Sequence, residues 1–221
     1  MLKIEKKQIA YNCVKRTSSI KYIVIHDTAN MSKAADSNAH FNYFNGGNRN
    51  SSADFFIDDK KVLQINDYTK YYTWHVGDGK GKYGITNQNS VGIEICVNAD
   101  GNYDKAFCNA VGLTKYLMKE LNIPAERVVR HYDASRKNCP ASMNKGNWEK
   151  WEEFKKLIRE EAVDKRFKDI SGHWAEKDIE DVHKMGIING VSDDEYAPDE
   201  VLTRAQAARM IRNTIRYITG E

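Results

Sequence analysis

Ser90-Val91-Gly92-Ile93-Glu94-Ile95-Cys96-Val97 is the stretch of this sequence that decides the fold. Apolar β-branched residues occupy every second position from Val91 to Val97, and this alternation predicts a strand with one face against a core. Glu94 stands in the middle of the opposite face, between a glycine and a cysteine. Because a carboxylate on a buried strand is costly unless it is paired, hydrogen-bonded or functional, Glu94 is a candidate site residue. A salt bridge to a nearby lysine is the alternative explanation.

Further strands and helices alternate on both sides of this stretch. Apolar spacing and turn residues predict, in chain order, a strand at 21–26, a helix at 32–44, a hairpin at 53–57 and 62–66, a helix at 103–121, a short strand at 127–130, and a helix that contains Trp148, Trp151 and Phe154. Strands interleaved with helices predict an α/β fold, a mixed central sheet covered by helices, over residues 1–163.

The remaining residues, 164–221, predict a small all-α module. One helix follows His173-Trp174-Ala175, with Ile179 and Val182 facing inward, and a second helix follows Leu202-Thr203-Arg204. A helical hairpin of about 55 residues is small for an independent core. We therefore expect it to pack on its neighbour or on a copy of itself.

The charge differs between these two parts. The chain of 221 residues has a net charge of +3, with 25 Lys and Arg against 19 Asp and Glu in residues 1–163 and 9 against 12 in the rest. A mildly basic first part suits an anionic polymer surface, although scattered charges are more often a solvated face. No basic stripe with interleaved aromatic residues and no DNA- or RNA-binding motif is found, so nucleic acid is disfavoured as a partner.

Compartment and redox state follow from the termini and the cysteines. The start of the chain has no apolar stretch of the length of a secretory signal, and no run is long enough to span a membrane. This predicts a protein made in the cytoplasm without a signal peptide. The four cysteines have irregular spacing, so reduced thiols are expected rather than a disulfide framework.

The segment His131-Tyr132-Asp133-Ala134-Ser135-Arg136-Lys137-Asn138-Cys139-Pro140 places an imidazole, an ammonium and a thiol within ten residues. With His26 at the end of its strand, His131 and Cys139 make three of the four ligands of a tetrahedral zinc, and water as the fourth is typical of a catalytic site. Each residue alone is weak evidence, since most histidines and cysteines have no such role. A structural zinc with a fourth protein ligand is the alternative, with His40 as the candidate.

Glu94 and Lys137 complete the predicted chemistry. A carboxylate beside zinc can act as a general base toward the attacking water and return the proton to a leaving nitrogen. Lys137, two residues from the candidate ligand Cys139, can stabilise an oxyanion. The glycine-rich segment after Trp74-His75-Val76-Gly77 lacks the spacing of a phosphate-binding loop and is interpreted as a mobile rim.

These residues carry a resemblance to a known family. The run 22–28, Trp74-His75-Val76-Gly77, Val91-Gly92-Ile93-Glu94-Ile95, and His131-Tyr132-Asp133 with Lys137 and Cys139-Pro140 resemble the type 2 N-acetylmuramoyl-L-alanine amidases. That family includes phage endolysins and is related to the peptidoglycan recognition proteins, and the similarity covers about residues 15–160.

The resemblance implies a role for each matching residue. His26, His131 and Cys139 would be ligands of Zn²⁺, Glu94 the acid/base residue and Lys137 the transition-state partner, with His75 and Trp74 at the substrate. The implied reaction cleaves the amide between the lactyl group of N-acetylmuramic acid and L-alanine of the stem peptide. Some relatives carry a catalytic tyrosine in the strand after the first ligand, where this chain has Ala53-Asp54, so no tyrosine is assigned.

The last part of the chain resembles a single S-layer homology module. The matching segments are Phe167-Lys168-Asp169, His173-Trp174-Ala175, Gly186-Ile187-Ile188-Asn189-Gly190, Pro198 and Thr203-Arg204-Ala205-Gln206. Such modules bind secondary cell-wall polymers of Gram-positive bacteria, often as a set of three, so a complete site would need a homo-oligomer. Arg204 at a helix start is a candidate anion contact, and Trp174 is a second candidate contact, although a place in the core is the favoured prediction for its indole.

Together these features predict a zinc-dependent peptidoglycan hydrolase of the endolysin type that acts extracellularly at the Gram-positive cell wall. A non-catalytic peptidoglycan-binding protein is the alternative. The presence of all three candidate ligands, with Glu94 and Lys137, argues against that alternative.

Overall fold

The predicted strand at 90–97 is one of the two central strands of a six-stranded sheet in the computed structural model, which describes residues 4–159 and 167–219. In chain order the strands are β1 (Ile4–Lys6), β2 (Cys13–Lys15), β3 (Tyr22–Asp27), β4 (Phe55–Ile57), β5 (Val62–Gln64), β6 (Tyr71–Thr73), β7 (Ser90–Ile95) and β8 (Val128–Arg130). The helices are α1 (Ser37–Asn45), α2 (Tyr103–Leu121), α3 (His131–Ser135), α4 (Lys145–Arg159), α5 (Glu176–Lys184) and α6 (Arg204–Thr219). The chain divides into two compact units, Met1–Glu160 and Glu161–Glu221.

The central sheet has the order β1-β5-β4-β7-β3-β8 and mixes both kinds of pairing. Only the predicted hairpin, β4 with β5, is antiparallel; the other neighbours in this sheet run parallel. Strands β2 and β6 form a separate antiparallel pair. The predicted α/β fold with a mixed sheet is thus confirmed.

Helices cover both faces of the sheet. Helices α2 and α4 pack on the face that carries Ile23, Ile25, Val91 and Ile93, where they contribute Phe107, Leu113, Trp151 and Phe154 to the main core. Helix α1 packs against the other face with Phe41 and Phe44, beside Phe56 and Leu63. Parallel strands covered on both faces are apolar nearly throughout, which makes a polar side chain on β3 or β7 conspicuous.

Local signals set the ends of the helices. Helix α2 spans the predicted residues 103–121, because Asn102 accepts a hydrogen bond from the backbone N–H of Lys105 and Asn122 ends the helix in the left-handed conformation. Helix α1 begins at Ser37 rather than at residue 32, because the Asp36 side chain caps it through the N–H of Ala39. The residues before Asp36 form turns.

The glycine-rich segment after Trp74 begins with a turn that packs closely against the rest of the unit. Residues Gly77–Gly79 form a 3-10 turn that lies against α3, and a Cβ at Gly79 would overlap the carbonyl of Ala134. Glycine is needed there because the two backbones approach too closely for a side chain. This turn also carries Asp78, which the site uses.

The second unit has a small core of its own. Phe167, Ile170, Ile179 and Ile188 are buried together, with Met210 of α6 packed beside them. The predicted core position of Trp174 is wrong, since its side chain is 87% exposed. No helix within 4–159 or 167–219 has the length and hydropathy needed to span a membrane.

Candidate active site

Strand register places the first candidate residues side by side. His26 on β3 is the register partner of Glu94 on β7, and Glu94 is the partner of Phe56 on β4. Strands β3, β7 and β4 run parallel, so these three residues lie near the same edge of the sheet, at or next to the carboxyl ends of the strands. That edge is where α/β proteins build their sites.

A short helix and a loop bring the other two candidate ligands to the same place. Strand β8 ends at Arg130, and His131 begins α3. The backbone N–H of Tyr132 donates to the carbonyl of Cys139 at 3.0 Å, which folds the loop back beside the start of α3. His26, His131 and Cys139 are all buried, and their ligand atoms lie within 4.8 Å of one another.

The three donors fit a zinc ion. His26 Nδ1 is 3.7 Å from Cys139 Sγ, a separation compatible with bonds of about 2.0–2.3 Å from each atom to one metal. His131 Nδ1 is buried and has no hydrogen-bond partner among the described residues. Burying such a nitrogen costs free energy unless a hydrogen-bond donor or a metal ion binds it. Imidazole and thiolate are the donors that zinc prefers.

Burial keeps both imidazoles in the form that binds a metal. It lowers the pKa of His26 well below its ordinary value, and the neighbouring His75, His131 and Lys137 lower it further. Burial also lowers the pKa of His131, although Asp78 opposes that effect. Neutral imidazoles result. Burial raises the pKa of the Cys139 thiol, with Glu94 adding to that effect, so a cation at this place would favour the thiolate.

Glu94 faces this cluster without a cationic side chain bonded to it. Its Oε1 is 3.9 Å from His26 Nδ1, and its Oε2 is buried without a hydrogen-bond partner in the part of the chain that the structure describes. Burial and the charge of Asp27 raise its pKa well above the ordinary value, and Lys137 opposes them. Among the described residues no lysine forms a salt bridge with Glu94, so the structural alternative for this residue is not supported.

Lys137 lies on the exposed loop between α3 and Cys139. Its positive charge lowers the pKa of Glu94, His26 and Cys139. No carboxylate within residues 4–159 or 167–219 forms an ion pair with Lys137, so its charge is available to a bound molecule.

His75 lies behind His26 and is only 7% exposed. Its Nδ1 is 3.1 Å from His26 Nε2, and its Nε2 is 3.1 Å from Ser90 Oγ. Both ring nitrogens thus have partners inside the protein, and the substrate contact expected of His75 remains a prediction. Trp74 is partly exposed, and its contact with a substrate stays a prediction.

His40 does not belong to the metal cluster. Its ring stacks on Phe56 at a centroid distance of 4.9 Å, and both residues line a cavity of about 430 Å³ that reaches Glu94 and Tyr43. A fourth protein ligand is therefore absent from the group that the described residues form. An open fourth position is typical of a catalytic zinc rather than a structural one.

Strand β4, one of the two neighbours of Glu94's strand, carries no tyrosine. The register partner of Glu94 on β4 is Phe56, which has no hydroxyl. Asp54 is fully buried and accepts hydrogen bonds from the Gly92 N–H and from Asn66 Nδ2. Asp54 thus links β7 to Asn66 through its carboxylate, and no catalytic tyrosine is assigned at this place.

Sequence reasoning missed two residues of this site. Asp78 Oδ1 is 2.7 Å from His131 Nε2, and Ser90 contacts His75. Asp78 is the carboxylate within the glycine-rich segment, three residues after His75, and that place was the available signal. Ser90 is the first residue of the deciding strand and gave no signal beyond its position.

Comparison with known families agrees with this geometry. The model of the N-acetylmuramoyl-L-alanine amidase family, Amidase_2, matches residues 16–142, and the S-layer homology domain model matches residues 166–208. Each match falls within one of the two units.

Two relatives and one solved structure illustrate the similarity. N-acetylmuramoyl-L-alanine amidase CwlH of Bacillus subtilis (strain 168) is 43% identical over 122 residues, which are 55% of this chain and 48% of CwlH. XlyA, an N-acetylmuramoyl-L-alanine amidase of the same strain, is 40% identical over 137 residues, 61% of this chain and 42% of XlyA. The structure of the catalytic domain of XlyA superposes with a TM-score of 0.63 at 37% identity, over 71% of this chain and 99% of that domain. This chain thus spans less than half the length of these two curated relatives.

Proposed function

This chain belongs to the N-acetylmuramoyl-L-alanine amidase family, and from that premise we propose that it is a zinc-dependent peptidoglycan hydrolase. The bond that it cleaves is the amide between the lactyl group of N-acetylmuramic acid and L-alanine of the stem peptide. One observation carries this proposal: a buried His26, His131 and Cys139 cluster with the carboxylate of Glu94 beside it, whose Oε1 is 3.9 Å from His26 Nδ1.

The metal ligands and the acid/base residue have separate tasks. When bound, Zn²⁺ supplies Lewis-acid chemistry that polarises a carbonyl and acidifies water. Glu94 accepts a proton from the attacking water and delivers it to the amide nitrogen as the C–N bond breaks. A raised pKa suits this double task, because the protonated carboxyl is then formed readily and returns its proton within the same site.

Lys137 acts on the other reaction partner. As the water oxygen bonds to the carbonyl carbon, negative charge develops on the carbonyl oxygen. An ammonium on the loop next to Cys139 stabilises that charge more than it stabilises the neutral carbonyl, which lowers the barrier. The free charge of Lys137 matches this role.

The second unit gives the enzyme its place of action. Its match to the S-layer homology domain supports binding to a secondary polymer of the Gram-positive cell wall. A tether of this kind raises the effective concentration of the catalytic unit at peptidoglycan without changing its chemistry. We thus propose an endolysin-like enzyme that acts outside the cell, with Trp174 and Arg204 as candidate polymer contacts.

The test measures zinc content and the release of new L-alanine amino termini from Gram-positive peptidoglycan. Three proteins are compared: the parent, Glu94→Ala, and Glu152→Ala as a control that removes an exposed carboxylate of α4. We expect one equivalent of zinc in all three, release by the parent and by Glu152→Ala, and a rate at least about 100-fold lower for Glu94→Ala.

The competing function is a peptidoglycan-binding protein without activity. Zinc in all three proteins, binding to peptidoglycan and no release by the parent would establish that function instead. Release by Glu94→Ala at the parent rate would keep the amidase and remove Glu94 from its mechanism.

A further inference from the structure

A chain of hydrogen bonds leads from His26 into the body of the protein. Ser90 Oγ lies 2.6 Å from the carbonyl of Thr86, so the hydroxyl donates its proton there. Because that hydroxyl has only one proton, Ser90 Oγ accepts the hydrogen bond from His75 Nε2 at 3.1 Å. His75 therefore carries its proton on Nε2 and presents a lone pair on Nδ1.

The tautomer of His75 determines that of His26. His75 Nδ1 is 3.1 Å from His26 Nε2, and an acceptor on His75 requires the proton on His26 Nε2. His26 Nδ1 is left as a lone pair, and this is the nitrogen that lies 3.7 Å from Cys139 Sγ. The carbonyl of Thr86 thus specifies, through two side chains, which nitrogen of His26 faces the cluster.

His131 is held in the same tautomer by a different group. Its Nε2 is 2.7 Å from Asp78 Oδ1, and a carboxylate can only accept, so the proton is on Nε2. The remaining nitrogen, His131 Nδ1, is the buried atom without a partner among the described residues. Both imidazoles thus present Nδ1.

The backbone around His75 is built to admit this ring. A Cβ at Gly92 would lie 2.7 to 2.8 Å from Cγ and Nδ1 of His75, closer than real contacts allow, so the ring can lie against β7 only at a glycine. Asn87 Oδ1 accepts hydrogen bonds from the N–H groups of His75 and Val76 at 3.0 and 2.8 Å, which fixes the segment that carries the ring.

We propose that His75, Ser90 and Asp78 are positioning residues that select the Nε2–H tautomer of His26 and His131 and aim both Nδ1 atoms at one metal ion. The inference rests on the zinc site of the proposed function. Partners of this kind orient a ligand and typically contribute 10- to 100-fold to metal affinity.

The test measures the affinity of the full chain for zinc alone, by competition with a chelator of known affinity. His75→Asn and His75→Leu form a matched pair, because their side chains have the same shape but only asparagine offers an acceptor near the position of Nδ1. We expect His75→Leu to bind zinc about 10- to 100-fold more weakly and His75→Asn to stay within about threefold of the parent. Thermal unfolding of the zinc-free proteins shows whether each variant is folded.

A second pair covers the case in which His75→Leu does not fold. Asp78 has a side chain that is 48% exposed, so Asp78→Ala and Asp78→Asn can be compared without disturbing the core. Asparagine retains an acceptor for His131 Nε2, and we expect Asp78→Ala to lose more than about tenfold in affinity while Asp78→Asn loses less.

Two results would overturn the inference: equal zinc affinity in the alanine or leucine variants and the parent, or equal losses in both members of a pair. Equal losses would mean that ring packing or charge matters rather than the acceptor. The cobalt-substituted proteins give an independent readout, because their visible spectra report ligand geometry. An unchanged spectrum in His75→Leu would contradict the inference as well. A parent that binds zinc but releases no L-alanine would overturn the proposed amidase and leave this inference standing.

Discussion

The two units of this chain treat their side chains in opposite ways. The catalytic unit, as we name Met1–Glu160 after its proposed function, buries groups that ordinarily face water: His26 and His75 are buried and the Glu94 side chain is only 19% exposed, each near other titratable groups. The second unit leaves apolar groups in water: Ile211, Ile218 and Trp174 are 62%, 76% and 87% exposed. Each arrangement costs free energy in isolation.

The difference shows where structure supports a functional argument. In the catalytic unit two buried atoms, His131 Nδ1 and Glu94 Oε2, have no hydrogen-bond partner among the described residues, and a metal ion and a water molecule are groups that would satisfy them. In the second unit the exposed side chains are apolar, and apolar side chains can pack against many different partners, so they identify none of them. Its function rests on the match to a family model, while that of the first rests on chemistry as well.

The largest effect that sharpens this comparison is expected at Lys137. Lys137→Ala should lower kcat/KM on a soluble muramoyl peptide by about 100- to 1000-fold, because the oxyanion loses its donor in the transition state. Lys177→Ala, which removes an exposed lysine of α5, is the matched control and should leave kcat/KM unchanged. The measurement is the kcat/KM of the parent and both variants at equal zinc content. A decrease of less than about threefold for Lys137→Ala would remove Lys137 from the mechanism.

A pair of isoleucines compares the packing of the two units. Ile158 on α4 is 3% exposed and Ile211 on α6 is 62% exposed. Ile158→Ala should lower the free energy of unfolding of the catalytic unit by about 3 kcal/mol, because it leaves a cavity in the main core. Ile211→Ala should change that of the second unit by no more than about 0.5 kcal/mol.

Urea unfolding, followed by activity for the first unit and by amide hydrogen exchange of peptides from α5 and α6 for the second, separates the two effects. A loss of more than about 2 kcal/mol for Ile211→Ala would contradict the comparison. It would mean that α6 is covered in solution, as the homo-oligomer expected from the S-layer homology resemblance requires. The molecular mass of the parent and the variant would then have to differ.

The fold of the catalytic unit was largely predictable because its signals are local. Alternation in β7 and the apolar spacing and caps of α2 specify those elements in the sequence itself. The positions of His26 and His131 were predictable for the same reason, since His26 lies near the end of β3 and His131 directly follows β8. The register that pairs His26 with Glu94 is a tertiary property, and the sequence analysis did not predict it.

The positioning residues were not predictable because their roles arise from tertiary contacts. Asp78 sits among glycines that predict flexibility, and only the approach of α3 shows that those glycines permit close packing. His75 was expected at the substrate, and its contacts with His26 and Ser90 were not foreseen, since sequence cannot tell a buried ring from an exposed one. Trp174 was misplaced for the converse reason, because a small module cannot bury every large side chain.

Two aspartates give the units opposite responses to pH. Burial raises the pKa of Asp54 to about 6, whereas hydrogen bonds from the N–H groups of Tyr196 and Ala197 lower the pKa of Asp169. Between pH 4 and 6 the native catalytic unit holds a proton on Asp54 that the unfolded chain has lost. This group therefore favours folding at low pH, and its advantage disappears as the pH rises through about 6. Asp169 contributes stability at neutral pH that is lost in acid.

Unfolding free energies between pH 4 and 7 test this sign. The parent should lose about 2 kcal/mol relative to Asp54→Asn as the pH rises across that range, an order-of-magnitude figure from the size of the shift. For the second unit, the comparison with Asp169→Asn extends below pH 4, because the pKa of Asp169 is lowered from its ordinary value and its stabilisation is lost only as the pH falls through that range. Parallel curves for the parent and Asp54→Asn would mean that Asp54 is ionised in the native state throughout, with Arg16 compensating its charge.

The smallest effect is expected at Arg204, where a cation stands at the start of α6. A positive charge is unfavourable at a helix N-terminus, and Arg216 in the last turn of the same helix has the favourable position. If Arg204 contacts an anionic wall polymer, Arg204→Gln should weaken binding to polymer-bearing peptidoglycan by about 3- to 10-fold and slightly stabilise α6. Arg216→Gln should bind as the parent does and slightly destabilise α6.

Sedimentation binding with intact and polymer-stripped walls makes the measurement, and equal binding by both variants would leave Arg204 without a role in recognition. Weaker binding with greater stability would distinguish Arg204 from a structural residue, since loss of a structural contact lowers both.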